Sequence, residues 1–413
     1  MNLGYSILVT TVWFLSTYFN IVLLLILFNK KSEIYKYEKI SSGNIPKVSM
    51  IVPCYNEEKT IEQSIKSLQK VDYPKDKFEI VIVNDGSTDS TAKIAEKYAA
   101  QKNIVFIDNK VNAGKAACLN QGILSSTGEF VACMDADTEV NPDVIKKTIP
   151  FFRHKKTGAV TVSVEVKKPA TFLEKIIEIE YTIGLSLALK ALSFFNAVHV
   201  TPGPFSIYRR KVLDEIGMFD TKNITEDLEI AYRIQKSKYS IACCSSTHVK
   251  TVIPKTFKGL YTQRKRWYTG SLLTLWQHKD IVLNSKVGAF AYIMPYTYLL
   301  IILGLSLIIF SIFLSLSNFI KSISHFALTN FNFWSYITLE NFDILTFSSL
   351  SFFGITAIMM TILGAFLCLK IADKKIRARK KGLFGFVFLF FLYQLFWAVS
   401  IYSVIFRKTV KWR

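Results

Sequence analysis

Apolar residues are gathered into a few long runs and many short ones. Residues 5–28, YSILVTTVWFLSTYFNIVLLLILF, are uncharged and apolar, roughly the twenty residues a helix needs to cross a bilayer. Three comparable runs follow at about 287–320, 350–369 and 383–406. The stretch between them, 29–285, carries most of the charge and only short apolar runs. There, β-rich segments alternate with helical ones: VSMIVPCYN from Val48, a helix from about Glu57, FEIVIVNDGS, a helix from about Thr88, IVFIDN, a helix from about Lys115, and EFVACMDADT. This alternation predicts an α/β domain, a parallel sheet with helices on both faces. The strands are apolar throughout, as strands buried on two sides are.

After about Thr138 the alternation loosens. GAVTVSVEVKK (158–168) reads as a strand, and TPGPFSIYRRKVLDEIGMFD (201–220) as a Pro-Gly turn, a short strand and a helix. Residues 171–195 are helical, charged at the start and apolar later. Such a helix either lies on a membrane surface or is buried in a globular domain. These patterns divide the chain into an N-terminal membrane anchor (1–29), a linker (30–47), a soluble domain (48–285) and a C-terminal membrane region with a basic tail (286–413).

The first run is read as a retained anchor, because it lacks a basic leader and is too long for the core of a signal peptide. NKKSEIYKYEKI follows it, and positive flanks stay inside, which places the soluble domain in the cytoplasm of a multi-pass plasma-membrane protein. Four spans would then leave Lys408, Lys411 and Arg413 outside, against the same rule. Either the last segment is interfacial or re-entrant, or the tail is exported.

The formal charge of +20 changes this picture little. Basic residues are dispersed or sit beside spans, as in KIADKKIRARKK (370–381), where anionic lipid headgroups are the nearer partner. No zinc-finger, aromatic RNA-binding or helix-turn-helix pattern occurs, so no nucleic acid is expected. Cys54, Cys118, Cys133, Cys243, Cys244 and Cys368 have neither disulfide nor zinc spacing and are expected to be small buried hydrophobes.

Polar residues collect at the carboxyl ends of the strands, where open sheets bind ligands. The first strand stops at PCYNEE (53–58), the second at NDGSTDST (84–91) and the fourth in FVACMDADTEV (130–140). If that last strand runs on, Asp135 and Asp137 share one face. Two such carboxylates repel unless one is protonated or a cation, typically a divalent ion, lies between them. The alternative is a solvated polar turn. Asp85 would reach the same edge, although NDGSTDST also suits a turn and helix cap. EF-hand spacing is absent, and NAGKAACLNQG (112–122) is no P-loop. In NITEDLEIAYRIQ (223–235), Thr225 is a candidate N-cap, with Glu226 and Asp227 in the first turn, where acids suit the helix dipole. In YTQRKRWYTGSLLTLW (261–276), Gln263, Arg266 and Trp267 fall on one helical face. That set fits phosphate and sugar, or else an interfacial helix with a snorkelling Arg and an anchoring Trp.

In order, PCYNE, NDGSTD, NAGKAxxLN, DAD, TED and QRKRW resemble the motifs of the membrane-bound glycosyltransferase family 2, which contains cellulose, hyaluronan and poly-β-1,6-N-acetylglucosamine synthases. The match covers roughly 48–276, and the layout of spans most resembles the smaller poly-N-acetylglucosamine synthases. The resemblance implies a GT-A (Rossmann-like) domain, a UDP-sugar donor, UDP-N-acetylglucosamine by that layout, and Mg2+ or Mn2+. The acceptor would be a growing polysaccharide exported through the chain's own spans, or else a lipid-linked acceptor that receives one sugar. An accessory membrane subunit is compatible with either. By position, Asp85 and Asp135 would hold the uridine part, with Lys115 near the nucleotide, and Asp137 would ligate the metal. Asp227 would be the general base, with Glu226 on the acceptor side. Gln263 and Arg266 would contact the diphosphate, and Trp267 would form the acceptor platform. A helix N-terminus lowers a carboxyl pKa, so the basicity of Asp227 must come from desolvation or from Glu226. Two departures stand out. TPGPFSIYRR lacks the small-residue pattern some of these synthases carry before the acceptor helix, and the tail FRKTVKWR (406–413) matches their gating loop only loosely.

Overall fold

The structure is a computed structural model that describes residues 3–37, 45–328, 349–372 and 380–406. Its centre is an eight-stranded sheet of order β3-β2-β1-β4-β7-β6-β8-β5. The strands β1 (Val48–Cys54), β2 (Phe78–Asp85), β3 (Ile104–Asn109) and β4 (Phe130–Cys133) are parallel, as the alternation predicts. Beyond β4 the sheet is mixed. There β7 (Ser206–Arg209) runs antiparallel to β4 and to β6 (Thr157–Val166), while β6 and β8 (Ser240–Thr251) are parallel. The two-residue β5 (Glu139–Val140) closes the far edge against β8.

The apolar runs of the strands face two cores because successive side chains point to opposite faces. Met50, Val52, Ile80 and Ile82 pack on one side, and Ile51, Val81 and Val83 on the other. After the single-turn helix α2 (Lys31–Ile34), the helices α3 (Ile61–Gln69), α4 (Thr91–Glu96) and α5 (Lys115–Leu124) complete the first half. Further along lie α6 (Val144–Thr148), α7 (Phe172–Tyr181), α8 (Leu189–Ser193), α9 (Arg210–Ile216), α10 (Glu226–Lys236) and α11 (Phe257–Gln277). Thr171 and Glu174 form a reciprocal capping box that starts α7, satisfying two otherwise orphaned N–H groups. Residues 182–188 continue it as a π-helix into α8. This segment packs between β6 on one side and the apolar N- and C-terminal helices on the other, and much of it is buried.

Among the described residues, three helices are long and apolar enough to cross a membrane: Leu3–Asn29, Phe290–Lys321 and Gly385–Ile405. They lie in α1 (Leu3–Asn29), α12 (Phe290–Leu328) and α14 (Lys380–Ile405). The remaining expected span falls in α13 (Ser349–Ile371), whose apolar part Ile355–Ile371 is shorter. Trp13 Nε1 on α1 donates to Thr356 Oγ1 on α13 at 3.0 Å, and Tyr5 and Ser311 join α1 to α12 at 2.9 Å. Most of the basic segment 370–381 and the tail after Phe406 lie outside the described residues. All six cysteines are free and buried, as expected for small hydrophobes.

Candidate active site

Three loops at the carboxyl ends of β1, β2 and β4 build the floor of a cleft. The first two are laced together. Asn56 N–H donates to Ser87 Oγ (3.0 Å) and Glu57 N–H to Thr91 Oγ1 (2.7 Å), while Thr88 N–H donates to Asn56 Oδ1 (2.8 Å) and Ser90 N–H to Glu58 Oε2 (3.2 Å). Much of PCYNEE and NDGSTDST therefore shapes the loops. Asp85, buried at the end of β2, accepts from Ala113 N–H (2.7 Å) and Gly114 N–H (3.0 Å), one on each carboxylate oxygen. It thereby fixes the loop that delivers Lys115 at the start of α5.

The expected continuation of the fourth strand through its acids does not occur. After Cys133, Met134 N–H still donates to Ile51 O, and residues 135–138 then turn, closed by Thr138 N–H donating to Asp135 O (3.1 Å). A turn frees the two carboxylates from the strict two-residue repeat, and they take different partners. Asp135 Oδ1 lies 2.5 Å from Lys115 Nζ, which lies 2.9 Å from Glu226 Oε1. Lys115 is thus the cation on Asp135, and it joins two acids far apart in sequence. Glu226, expected on the acceptor side, is buried with its carboxylate on this lysine.

Gly203 makes room for that cluster: a Cβ there would come within 2.7 Å of Lys115 Nζ and 2.9 Å of Asp135 Oδ2. Its loop ties the site together. Asp135 N–H donates to Gly203 O (3.2 Å), and Thr201 donates to Asp227 O through its N–H (3.1 Å) and its hydroxyl (2.7 Å). Thr225 is the residue before α10, as expected, but its hydroxyl donates to Asn223 Oδ1 (3.1 Å) instead of capping the helix. Asp227 follows in the first turn, its carboxyl pushed up to about 6 by burial and then by the negative charge of Glu226, with Lys115 and Arg266 opposing. Both sources of basicity expected from the sequence therefore act.

Asp137 faces another part of the cleft, a space of about 330 Å³ also bordered by Asn56–Thr60 and Asp89. The hydroxyls of Thr251 and Thr138 donate to its Oδ1 at 3.2 and 3.3 Å. Burial, then the charges of Asp135 and Glu57, push its carboxyl up to about 7. A carboxylate in a negative field is stabilised by a divalent cation, and hard cations prefer oxygen ligands. Among the described residues no group of three or more acidic, His or Cys side chains converges as a complete metal cage. The donor set fits an ion that takes one carboxylate from the protein and the rest from phosphate and water, as Mg2+ does.

The helix α11 roofs the TED turn. Its Gly270 presses on Thr225 so closely that no Cβ would fit. Arg266 Nη1 donates to Ile224 O at 3.3 Å, beside Asp227. Gln263 and Trp267 lie on the same helix, both half-buried. Asp85, Lys115, Asp135, Glu226, Asp227 and Arg266 are linked through these contacts to one sheet rim; Asp137 borders the adjoining cleft. Sequence reasoning missed Gly203 and Thr201, which hold the rim together; the Pro-Gly turn was the available signal.

The Glycosyl transferase family 2 model matches residues 49–217. Poly-beta-1,6-N-acetyl-D-glucosamine synthase of Staphylococcus epidermidis is 30% identical over 373 residues, covering 88% of this chain and 84% of the relative. The enzyme of that name from Staphylococcus aureus (strain COL) is 32% identical over 243 residues, covering 59% of this chain and 57% of the relative. A mannosyltransferase from Pyrobaculum calidifontis, solved in complex with GDP-Man and Mn2+, shares the fold with a TM-score of 0.56 at 20% identity, covering 89% of this chain and 100% of that one. The soluble domain has the GT-A fold.

Gly203→Ala should push Lys115 away from Asp135 and lower stability by about 1–3 kcal/mol, the usual cost of overpacking, read as a lower Tm. An unchanged Tm would show that the loop yields freely and that the close approach is incidental.

Proposed function

The chain belongs to glycosyltransferase family 2, and from that membership we propose that it is an inverting β-glycosyltransferase of the cell membrane. Its catalytic domain, residues 48–285, lies on the cytoplasmic side. It transfers N-acetylglucosamine from UDP-N-acetylglucosamine to a growing polysaccharide, which leaves through the membrane helices. The observation that carries this reading is the gathering of Asp85, Lys115, Asp135 and Asp227 at one rim of the sheet. The named relatives support the sugar and the polymeric product.

In the proposed mechanism, Asp85 and Asp135 frame the nucleoside, with Lys115 between Asp135 and Glu226 holding the pocket in register. Asp137 would hold Mg2+ or Mn2+, which when bound would supply positive charge at the diphosphate. Gln263 and Arg266 donate to the diphosphate oxygens as negative charge gathers on the leaving UDP. The acceptor sugar rests on Trp267 with one hydroxyl toward Asp227, whose carboxylate removes the proton as the hydroxyl oxygen attacks the anomeric carbon. The C–O bond to UDP breaks on the opposite side, so an α-linked donor gives a β-linked product.

Purified full-length protein given Mg2+ and labelled UDP-N-acetylglucosamine should make long polymer, and Asp227→Asn should bind UDP nearly normally while transfer falls by at least about a hundredfold, the usual contribution of a general base. A single sugar on lipid would replace the polymer reading with one-step transfer. Equal loss of UDP binding and transfer would remove Asp227 from the role of base. Because the base acts deprotonated, kcat/KM should rise as pH increases through about 6 and level off above it. A profile flat across that range would contradict the assignment.

A further inference from the structure

Arg264 is one residue from Gln263 and three from Trp267, yet it is only 1% exposed, among the largest fully buried side chains. A buried guanidinium is costly unless its donors are satisfied. Here its donors meet three acceptors. Nη2 donates to Glu180 Oε2 on α7 at 2.8 Å, Nε to the Tyr393 hydroxyl on α14 at 3.3 Å, and Nη1 to Gln263 Oε1 at 2.6 Å. The ring closes through Tyr393, whose hydroxyl donates to the same Glu180 oxygen at 2.6 Å. The guanidinium also lies 4.2 Å from the centroid of the Trp267 ring, within range of a cation–π contact.

Two consequences follow for α11. Gln263 spends its carbonyl oxygen on Arg264, which leaves its NH2 as the group that can donate to an anion. One face of Trp267 is covered by a fixed cation, and the ring is held in one orientation. We propose that Arg264 is a positioning residue: locked by Glu180 and Tyr393, it sets the amide of Gln263 and the indole of Trp267 and ties both to the last membrane helix. This deepens the proposed function and rests on its assignment of Gln263 to the diphosphate and Trp267 to the acceptor. A displacement of α14 would be transmitted through the Tyr393 hydroxyl to the side chains that meet substrate.

The test is a double-mutant cycle on the full-length protein, with UDP affinity as the readout for Gln263 and chain elongation as the readout for Trp267. Tyr393→Phe and Glu180→Gln keep the shape of the core; the first removes only a hydroxyl, so it tests the idea even if the second impairs folding. Each should weaken UDP binding by about tenfold, the size of coupling expected between contacting side chains. In a Gln263→Ala background the same changes should cost almost nothing more. Elongation should show the same loss of effect in a Trp267→Ala background. Additive losses in both cycles, or no loss from Tyr393→Phe, would reduce the triad to a structural staple. If instead Gln263→Ala leaves UDP affinity and Trp267→Ala leaves elongation unchanged, the underlying substrate assignments fail, and the positioning role with them.

Discussion

One ammonium group governs the site. Lys115 reaches Asp135 from the start of α5 and Glu226 at the start of α10, and all three side chains are largely withdrawn from solvent. Without the lysine, Asp135 and Glu226 would lose the cation they share; because Asp135 is only part-buried, the cost falls below the roughly 3–5 kcal/mol of a fully buried pair. The lysine therefore does more than neutralise charge. It ties the start of α5 to the start of α10, while Thr201, through two bonds to Asp227 O, holds the turn bearing Asp227 at the same rim. Its backbone is fixed in turn by Asp85, through the two N–H groups just before it.

The second constraint comes from the membrane side. The helix α11 touches the TED turn at Gly270 and the last membrane helix through Arg264 and a stack of Tyr268 on Trp397, with centroids 4.2 Å apart. The middle of α11 is thus held from two sides, by the TED turn and by α14. One helix therefore carries both the side chains assigned to substrate and the contacts to α14.

Much of this architecture is visible in the amino-acid pattern because the apolar runs are long and their periods unambiguous. The strands from Val48 to Cys133 and the helical stretch over 261–276 follow directly from burial on two faces and from helical spacing. The site is legible in part. Asp85, Asp135 and Asp227 stand out as acids at strand and helix ends, but spacing says nothing of which cation each will meet. The D-x-D motif suggests a shared metal because a strand was assumed to continue; one turn after Cys133 sends Asp135 to a lysine and Asp137 to two threonines. Arg264 is the clearest omission. In a basic run it looks solvated, and only the distant Glu180 and Tyr393 explain why it is buried.

The most direct test of the central claim is UDP affinity in full-length Lys115→Met, a change that keeps the length of the side chain and removes its charge. If the lysine organises the pocket, the variant should bind UDP at least about tenfold more weakly, equivalent to about 1.4 kcal/mol. Wild-type UDP affinity in a folded Lys115→Met protein would contradict the account.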